Sequence, residues 1–253
     1  MTDGTRKVLD HGYLRLVERW GSDERIIESA RMSTAKGFVG WGETCLECGW
    51  LKDAGDHEAG CSRPEQWKPG DEKLLRFLWE HKHTTPFEMA GATFEVQAPI
   101  MVFREWHRHR TQSYSEQSAR YVEMPELFYV PSYERLSRGG QAAKNKQASG
   151  AELGNDAVAW SREAIREQST GAFATYRALL ERGVAREIAR LVLPVNTYSR
   201  MRASANLLNW LRFLALRLPE NAQWEIRQFA GALRDALTDS FPRTLELFEV
   251  SRG

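Results

Sequence analysis

The apolar positions of this chain change period several times along its length, and each change predicts an element. Val8, Leu9, Tyr13 and Leu14 form a short apolar stretch with strand character. From Asp23 the pattern turns helical, with Ile26, Ile27 and Ala30 on one face, Asp23 as the expected N-cap and an end near Ser33. Asp71 opens a second helix that places Leu74, Leu75, Leu78 and Trp79 together, and Pro86 breaks the chain after it. Residues 93–96 alternate, with Phe94 and Val96 on one side, and give the clearest strand. Pro99 then opens an apolar run, Ile100–Trp106, that predicts a helix.

Helical periods return over about 157–182 and 185–192, where Pro194 interrupts them. Ser204 is the expected cap of a helix through Leu207, Leu208, Leu211, Leu214 and Leu216. A further helix is expected over about 221–237, and Pro242 starts a last amphipathic piece with Leu245 and Phe248. Two stretches break the pattern. Residues 37–70 are rich in Gly, Trp, Cys and charge without a period, and predict an insertion-like loop. Residues 138–156 are poor in large apolar side chains and predict a mobile surface segment. The expectation is one mixed α/β (α+β) domain over 1–253, helix-rich, around a central antiparallel or mixed sheet.

Composition narrows the function classes. The chain has 253 residues, 42% hydrophobic and 27% charged, enough for one sizeable core. A net charge of +1 leaves no global basic surface, so nucleic acid is not an expected partner. No run of about 18 apolar residues predicts a membrane span, and Met1–Lys7 has no apolar signal region. The expectation is a cytoplasmic protein. The nine tryptophans are expected mainly in the core or at interfaces.

The chemistry concentrates in residues 108–121. Arg108 and Arg110 flank His109, and Glu116, Ser118 and Arg120 follow within a dozen positions. Guanidinium forks bind phosphate and planar carbonyl groups in bidentate fashion, while hydroxyls and a carboxylate suit a ribose or a base edge. The segment predicts a site for a nucleotide monophosphate beside a second anionic ligand. The same residue types also suit a solvated basic helix end, or a non-catalytic module that binds the phosphates of nucleotides or nucleic acid.

Arg108-His109-Arg110 followed by Ser118 resembles the signature of the flavin-dependent thymidylate synthases. His83-Thr84-Thr85-Pro86-Phe87-Glu88 resembles another segment of that family, and Ala98-Pro99-Ile100 with Arg104-Glu105-Trp106 resembles its lead-in to the signature. Arg190 to Pro194, Tyr198, Asn206, Leu216-Arg217 and Ala222 to Ile226 are similar to its second half. These blocks follow the family's order from about Val8 to Phe248.

The resemblance implies C5-methylation of dUMP, with methylenetetrahydrofolate as carbon donor and NADPH-reduced FAD as hydride source, in a homotetramer with shared active sites. It assigns Arg217 the catalytic task of polarising the pyrimidine. It assigns Ser33, His83, Thr85, Glu88, Arg108, His109, Arg110, Glu116, Asn206 and Arg212 to FAD. Glu105, Arg108, Glu116, Gln117, Ser118, Ala119, Arg120, Arg190 and Arg217 fall to the nucleotide, with Arg120 and Arg190 on phosphate. Ser118 is expected as a ligand rather than a nucleophile, since no base for it is evident. A relative that methylates UMP, or both UMP and dUMP, is the alternative. The chain departs from the family pattern at Glu105 (commonly Gln), Ser115 (Asn), Leu208 (Arg), Arg212 (His or Asn) and Asn221 (His). A carboxylate at 105 near a phosphate needs a cation, and Arg104 is its expected partner.

A thiolate route to C5 chemistry needs an activated cysteine. The three cysteines, Cys45, Cys48 and Cys61, all lie in the 37–70 stretch, away from the arginines in sequence. No metal is assigned to the active site. The pattern Cys45-x2-Cys48-x8-His57-x3-Cys61 has the ligand types and spacings of a tetrahedral zinc site. Spare thiols with an ordinary exposed histidine are the other reading, and a Cys45/Cys48 redox pair lacks a thioredoxin-like context.

Overall fold

The computed structural model describes residues 4–48, 52, 61, 67–142 and 149–252. In chain order, β1 (Thr5–Val8) and β2 (Gly12–Trp20) are followed by α1 (Asp23–Arg31) and a 3-10 turn, Met32–Thr34. Two short strands, β3 (Thr44–Cys45) and β4 (Trp67–Lys68), precede α2 (Asp71–Glu80) and α3 (Thr85–Glu88). Then come β5 (Gly91–Pro99), α4 (Ile100–Trp106), β6 (Ser113–Glu116), α5 (Tyr133–Ser137), β7 (Gly140–Gln141) and β8 (Ser149–Ala151). The long helix α6 (Asn155–Glu181), α7 (Arg186–Ala189), a 3-10 turn Arg190–Val192, β9 (Tyr198–Asn206), α8 (Leu207–Arg217), α9 (Trp224–Ser240) and α10 (Pro242–Val250) complete the chain. The architecture is the expected mixed α/β. A five-stranded sheet runs β1-β2-β5-β9-β6, and its β1–β2 and β9–β6 pairs are antiparallel. Among the described residues no helix is long and apolar enough to cross a membrane.

The residues group into two compact units. The first comprises Met1–Val17, Thr93–Ser204 and Phe213–Leu233. Its core is built on β5, whose buried Phe94, Val96 and Ala98 alternate with half-buried neighbours, as period-2 burial requires. Val102, Phe103 and Trp106 of α4 and Phe213 and Phe229 join them as fully buried side chains. A second cluster gathers Met124, Phe173, Tyr176 and Ala189, with Phe128, Leu180 and Leu193 packed against it. The second unit comprises Glu18–Ala92, Ala205–Arg212 and Arg234–Gly253. It buries Ile26, Ile27, Leu75, Leu78, Phe87, Trp210, Leu237 and Phe241.

Local expectations are revised in three places, and short elements are added within 138–156. The apolar stretch at Val8–Leu14 is a hairpin rather than one strand. Leu9 takes a φ of +61°, and a Cβ on Gly12 would lie 2.5 Å from the Val8 carbonyl oxygen, so only glycine allows the return. Ser22, not Asp23, caps α1, accepting from Arg25 N at 3.3 Å. Asp23 is buried and instead holds the start of α10, accepting from Arg243 N at 2.9 Å and Thr244 Oγ1 at 2.6 Å. Ser204 lies inside β9, and Asn206 Oδ1 accepts from Asn209 N at 2.9 Å in the capping role. Within 138–156 the described residues form the antiparallel pair β7–β8, and α6 already begins at Asn155.

Candidate active site

The arginine-rich segment is shaped from beneath by two aromatic side chains of the first unit. Trp106 ends α4 fully buried, and its indole N–H donates to Gln112 Oε1 at 3.0 Å. The Tyr114 hydroxyl lies 2.7 Å from the His109 carbonyl oxygen and 3.1 Å from that of Trp106. Burial pushes the Tyr114 phenol up to about 12, so it stays a protonated donor at neutral pH. The turn between α4 and β6 is thereby pinned at both ends. Arg108 and Arg110 are left exposed and border, with His107, a cleft of about 250 Å³.

His109 points the other way. Its ring packs against Phe213 at 4.7 Å between centroids, and its Nε2 accepts from Arg217 Nε at 2.9 Å. An acceptor Nε2 requires the neutral imidazole with its proton on Nδ1. Burial first, and the adjacent Arg217 charge second, lower the His109 pKa to about 4. Arg217 also donates through Nη1 to Glu105 Oε2 at 2.7 Å and through Nη2 to the Glu105 carbonyl oxygen at 3.0 Å. Three of the five guanidinium N–H groups are thus engaged, and the plane of the fork is set. The partner of Glu105 is Arg217, not the expected Arg104. Adjacent residues of a helix do not face each other, so 104 and 105 diverge on α4.

A second cleft of the first unit, of about 350 Å³, collects Glu116, Gln117, Ser118, Ala119 and Arg190 from the expected nucleotide set. Gln117 N donates to the Arg200 carbonyl oxygen at 2.8 Å, which continues the line of β6. Ser118 Oγ accepts from Arg120 N at 3.3 Å and its carbonyl oxygen accepts from Tyr121 N and Val122 N, so Ser118 shapes a turn. Arg120 is exposed and pairs with Glu187 at 3.4 Å; it does not line the cleft. Ser199 was not singled out by the sequence. It lines this cleft, and its buried Oγ has no hydrogen-bond partner among the described residues. Only the adjacent Tyr198 carried a signal. A larger cleft, of about 680 Å³ and lined by Arg135, Arg138, Trp224 and Arg227, holds none of the expected site residues, although Asn221 borders it.

The remaining expected flavin residues lie in the second unit. Ser33 is exposed on the 3-10 turn and donates to the Ala30 carbonyl oxygen at 3.2 Å. His83 is exposed and sits edge-on to Phe77, on which His81 stacks. Thr85 and Glu88 bound α3 and are exposed. Arg212 reaches Asn209 Oδ1 at 3.2 Å, one turn after Asn206. Leu208, where the family commonly has Arg, is buried.

The family described as thymidylate synthase complementing protein matches residues 15–243. The chain belongs to this family. Its relatives include the flavin-dependent thymidylate synthase of Thermus thermophilus, 41% identical over 97% of this chain and 78% of that protein. That of Thermosipho africanus is 35% identical over 96% of this chain and 92% of that protein. Among solved structures, the UMP/dUMP methylase PolB from Streptomyces cacaoi bound with 5-Br dUMP has a TM-score of 0.76 and 32% identity, covering 97% of both chains. The same methylase bound with 5-Br UMP is equally similar in fold, with a TM-score of 0.76. The flavin-dependent thymidylate synthase resemblance carried by Arg108 to Ser118 therefore extends over nearly the whole chain.

Proposed function

We propose that this chain methylates C5 of dUMP to give dTMP, using methylenetetrahydrofolate as carbon donor and NADPH as the source of electrons, in the cytoplasm. When bound, FAD supplies the hydride chemistry that no side chain can. The observation that carries the reading is the Arg217 guanidinium, held by His109 Nε2 and by Glu105. Its two N–H groups left unengaged among the described residues give a preoriented cation for a pyrimidine carbonyl. Such a cation stabilises negative charge on the ring and makes C5 electron-rich. Neutral His109 orients the fork without adding a competing positive charge.

The donor set of the chain fits the other ligands. Arg108 and Arg110, on one cleft of the first unit, suit the diphosphate of FAD; Glu116 of that unit and, separately, Ser33, His83, Thr85, Glu88, Asn206 and Arg212 of the second offer flavin-binding groups. Gln117, Ser118, Ala119 and Arg190 suit the nucleotide, with Arg120 beside them for phosphate and the Ser199 hydroxyl as an added contact. A cysteine nucleophile is not needed, and all three cysteines converge on one another instead. Exposed apolar side chains along Ile188, Leu191, Val192 and Val195 support a homotetramer, Leu191 being 77% exposed. A stable, active monomer in light scattering would refute that assembly.

The visible spectrum of the protein with FAD under nitrogen tests the central reading. A bound-flavin band that bleaches with NADPH, and turnover that requires dUMP, are the expected results; a flavin indifferent to both additions defeats it. The likeness to a UMP/dUMP methylase supports a second reading, in which UMP is also a substrate. Turnover of dUMP and UMP measured side by side separates the two: equal rates overturn a strict dUMP preference.

A further inference from the structure

None of the residues assigned a role above lies in the 37–70 stretch, and its three cysteines are not scattered. Cys45 lies on β3, which pairs with β4 over only two residues, Thr44 with Lys68 and Cys45 with Trp67. The Sγ atoms of Cys45, Cys48 and Cys61 all lie within 4.8 Å of one another. Cys45 Sγ and Cys61 Sγ are 3.6 Å apart, and no cysteine is in a disulfide. A disulfide would bring two sulfurs to about 2.05 Å, and it accounts for two of the three thiols at most. Zinc–sulfur bonds of about 2.3 Å at a tetrahedral angle put two sulfurs about 3.8 Å apart. The observed geometry matches the second distance.

The surroundings also favour sulfur in its metal-binding form. Glu47 N donates to Cys45 Sγ at 3.4 Å, so the Cys-x2-Cys turn aims a backbone amide at the sulfur. An amide aimed at sulfur favours the thiolate. Cys45 has no exposed surface, and a buried thiolate is costly without a cation. The Glu47 carboxylate lies 3.5 Å from Cys61 Sγ. The Cys61 thiol donates to that carboxylate, so this contact holds the proton that metal binding must displace, and the carboxylate then faces the dication. The strand pair is only two residues long, and metal binding to such a segment contributes directly to its folding.

We propose that Cys45, Cys48 and Cys61 bind one structural zinc ion. The three thiols release their protons to solvent, three sulfur–zinc bonds form, and one nitrogen or oxygen ligand completes the tetrahedron. No electron is transferred. His57, which the sequence spacing adds to the set, lies outside the described residues, and the proposal rests on the three thiolates alone.

Untagged full-length protein, prepared with zinc and reductant but no chelator, is expected to hold about one zinc per chain and to release it when the thiols are titrated with a mercurial. Cys48→Ser and Cys61→Ser should each lose most of the zinc while keeping the far-ultraviolet dichroism of the parent. Full zinc retention in both variants overturns the site, as does less than about a tenth of an equivalent in the parent. Should either variant fail to fold, cobalt exchanged into the parent decides. Intense visible bands with sulfur-to-cobalt charge transfer support three thiolates in a tetrahedron. A weak octahedral spectrum, or a disulfide among these cysteines found by mass analysis in the protein as prepared with zinc and reductant, refutes them.

Discussion

Arg217 Nε donates to His109 Nε2 across 2.9 Å, although 108 positions separate the two residues in the chain. A histidine that accepts from a guanidinium cannot also be an imidazolium, so this contact sets the protonation state of the signature histidine. It also places the arginine of α8 against the arginine-rich turn that follows α4.

His109 should therefore titrate near 4 rather than near the usual 6.5. Between those values the unfolded chain binds a proton that the folded site resists. This site's contribution to stability should then fall as pH drops from about 6.5 to about 4, level off below that, and be constant above about 6.5. Following the imidazole carbons by NMR checks the first statement; titration near 6.5 would show that the Arg217 contact does not persist in solution.

Arg217→Lys keeps a positive charge but loses the fork that reaches His109 and Glu105 together. The turnover number should drop by about 10²- to 10³-fold, the usual consequence of removing an aligned electrostatic contact, with flavin still bound. Steady-state kinetics beside the flavin spectrum give the answer, and a variant within about tenfold of the parent rate would exclude the polarising role.

Arg190→Ala and Arg120→Ala remove exposed cations from the proposed phosphate end. A charged hydrogen bond contributes about 1.5–3 kcal/mol, so KM for the nucleotide should rise roughly 10- to 100-fold. Folding stability should move by less than about 0.5 kcal/mol, as for most surface changes. Unchanged KM in both variants would remove these residues from the phosphate site.

Asp23 serves the fold instead. Replacing it by Ala leaves Arg243 N, Thr244 N and Thr244 Oγ1 without their acceptor at the start of α10. Loss of about 2–4 kcal/mol is expected from a buried charged acceptor that also caps a helix. Urea unfolding measures it, with Asp23→Asn expected to recover part of the loss.

The pattern of the chain made some of this legible before any coordinates. The Ile100–Trp106 helix, the alternation around Phe94 and Val96, and the gathering of Glu116 to Ala119 near one another all follow from short-range periodicity and sequence proximity. Caps were harder to see. Ser22 and Asp23 are adjacent residue types that can both cap, and only the position of α10 draws Asp23 away. Likewise Ser204 and Asn206 both suit a helix start, but β9 runs on through Asn206 because it pairs within the sheet.

What the sequence determined by itself was local: the order of elements, the family motifs and the chemical types available at each. Those depend on spacings of a few residues, which backbone periodicity converts directly into faces. Tertiary structure alone decided who faces whom. Glu105 meets Arg217 rather than Arg104, Ser199 opens onto the cleft beside Ser118, and three cysteines spread over 17 positions bring their sulfurs together. Such contacts depend on how distant segments pack, and no local period encodes that packing.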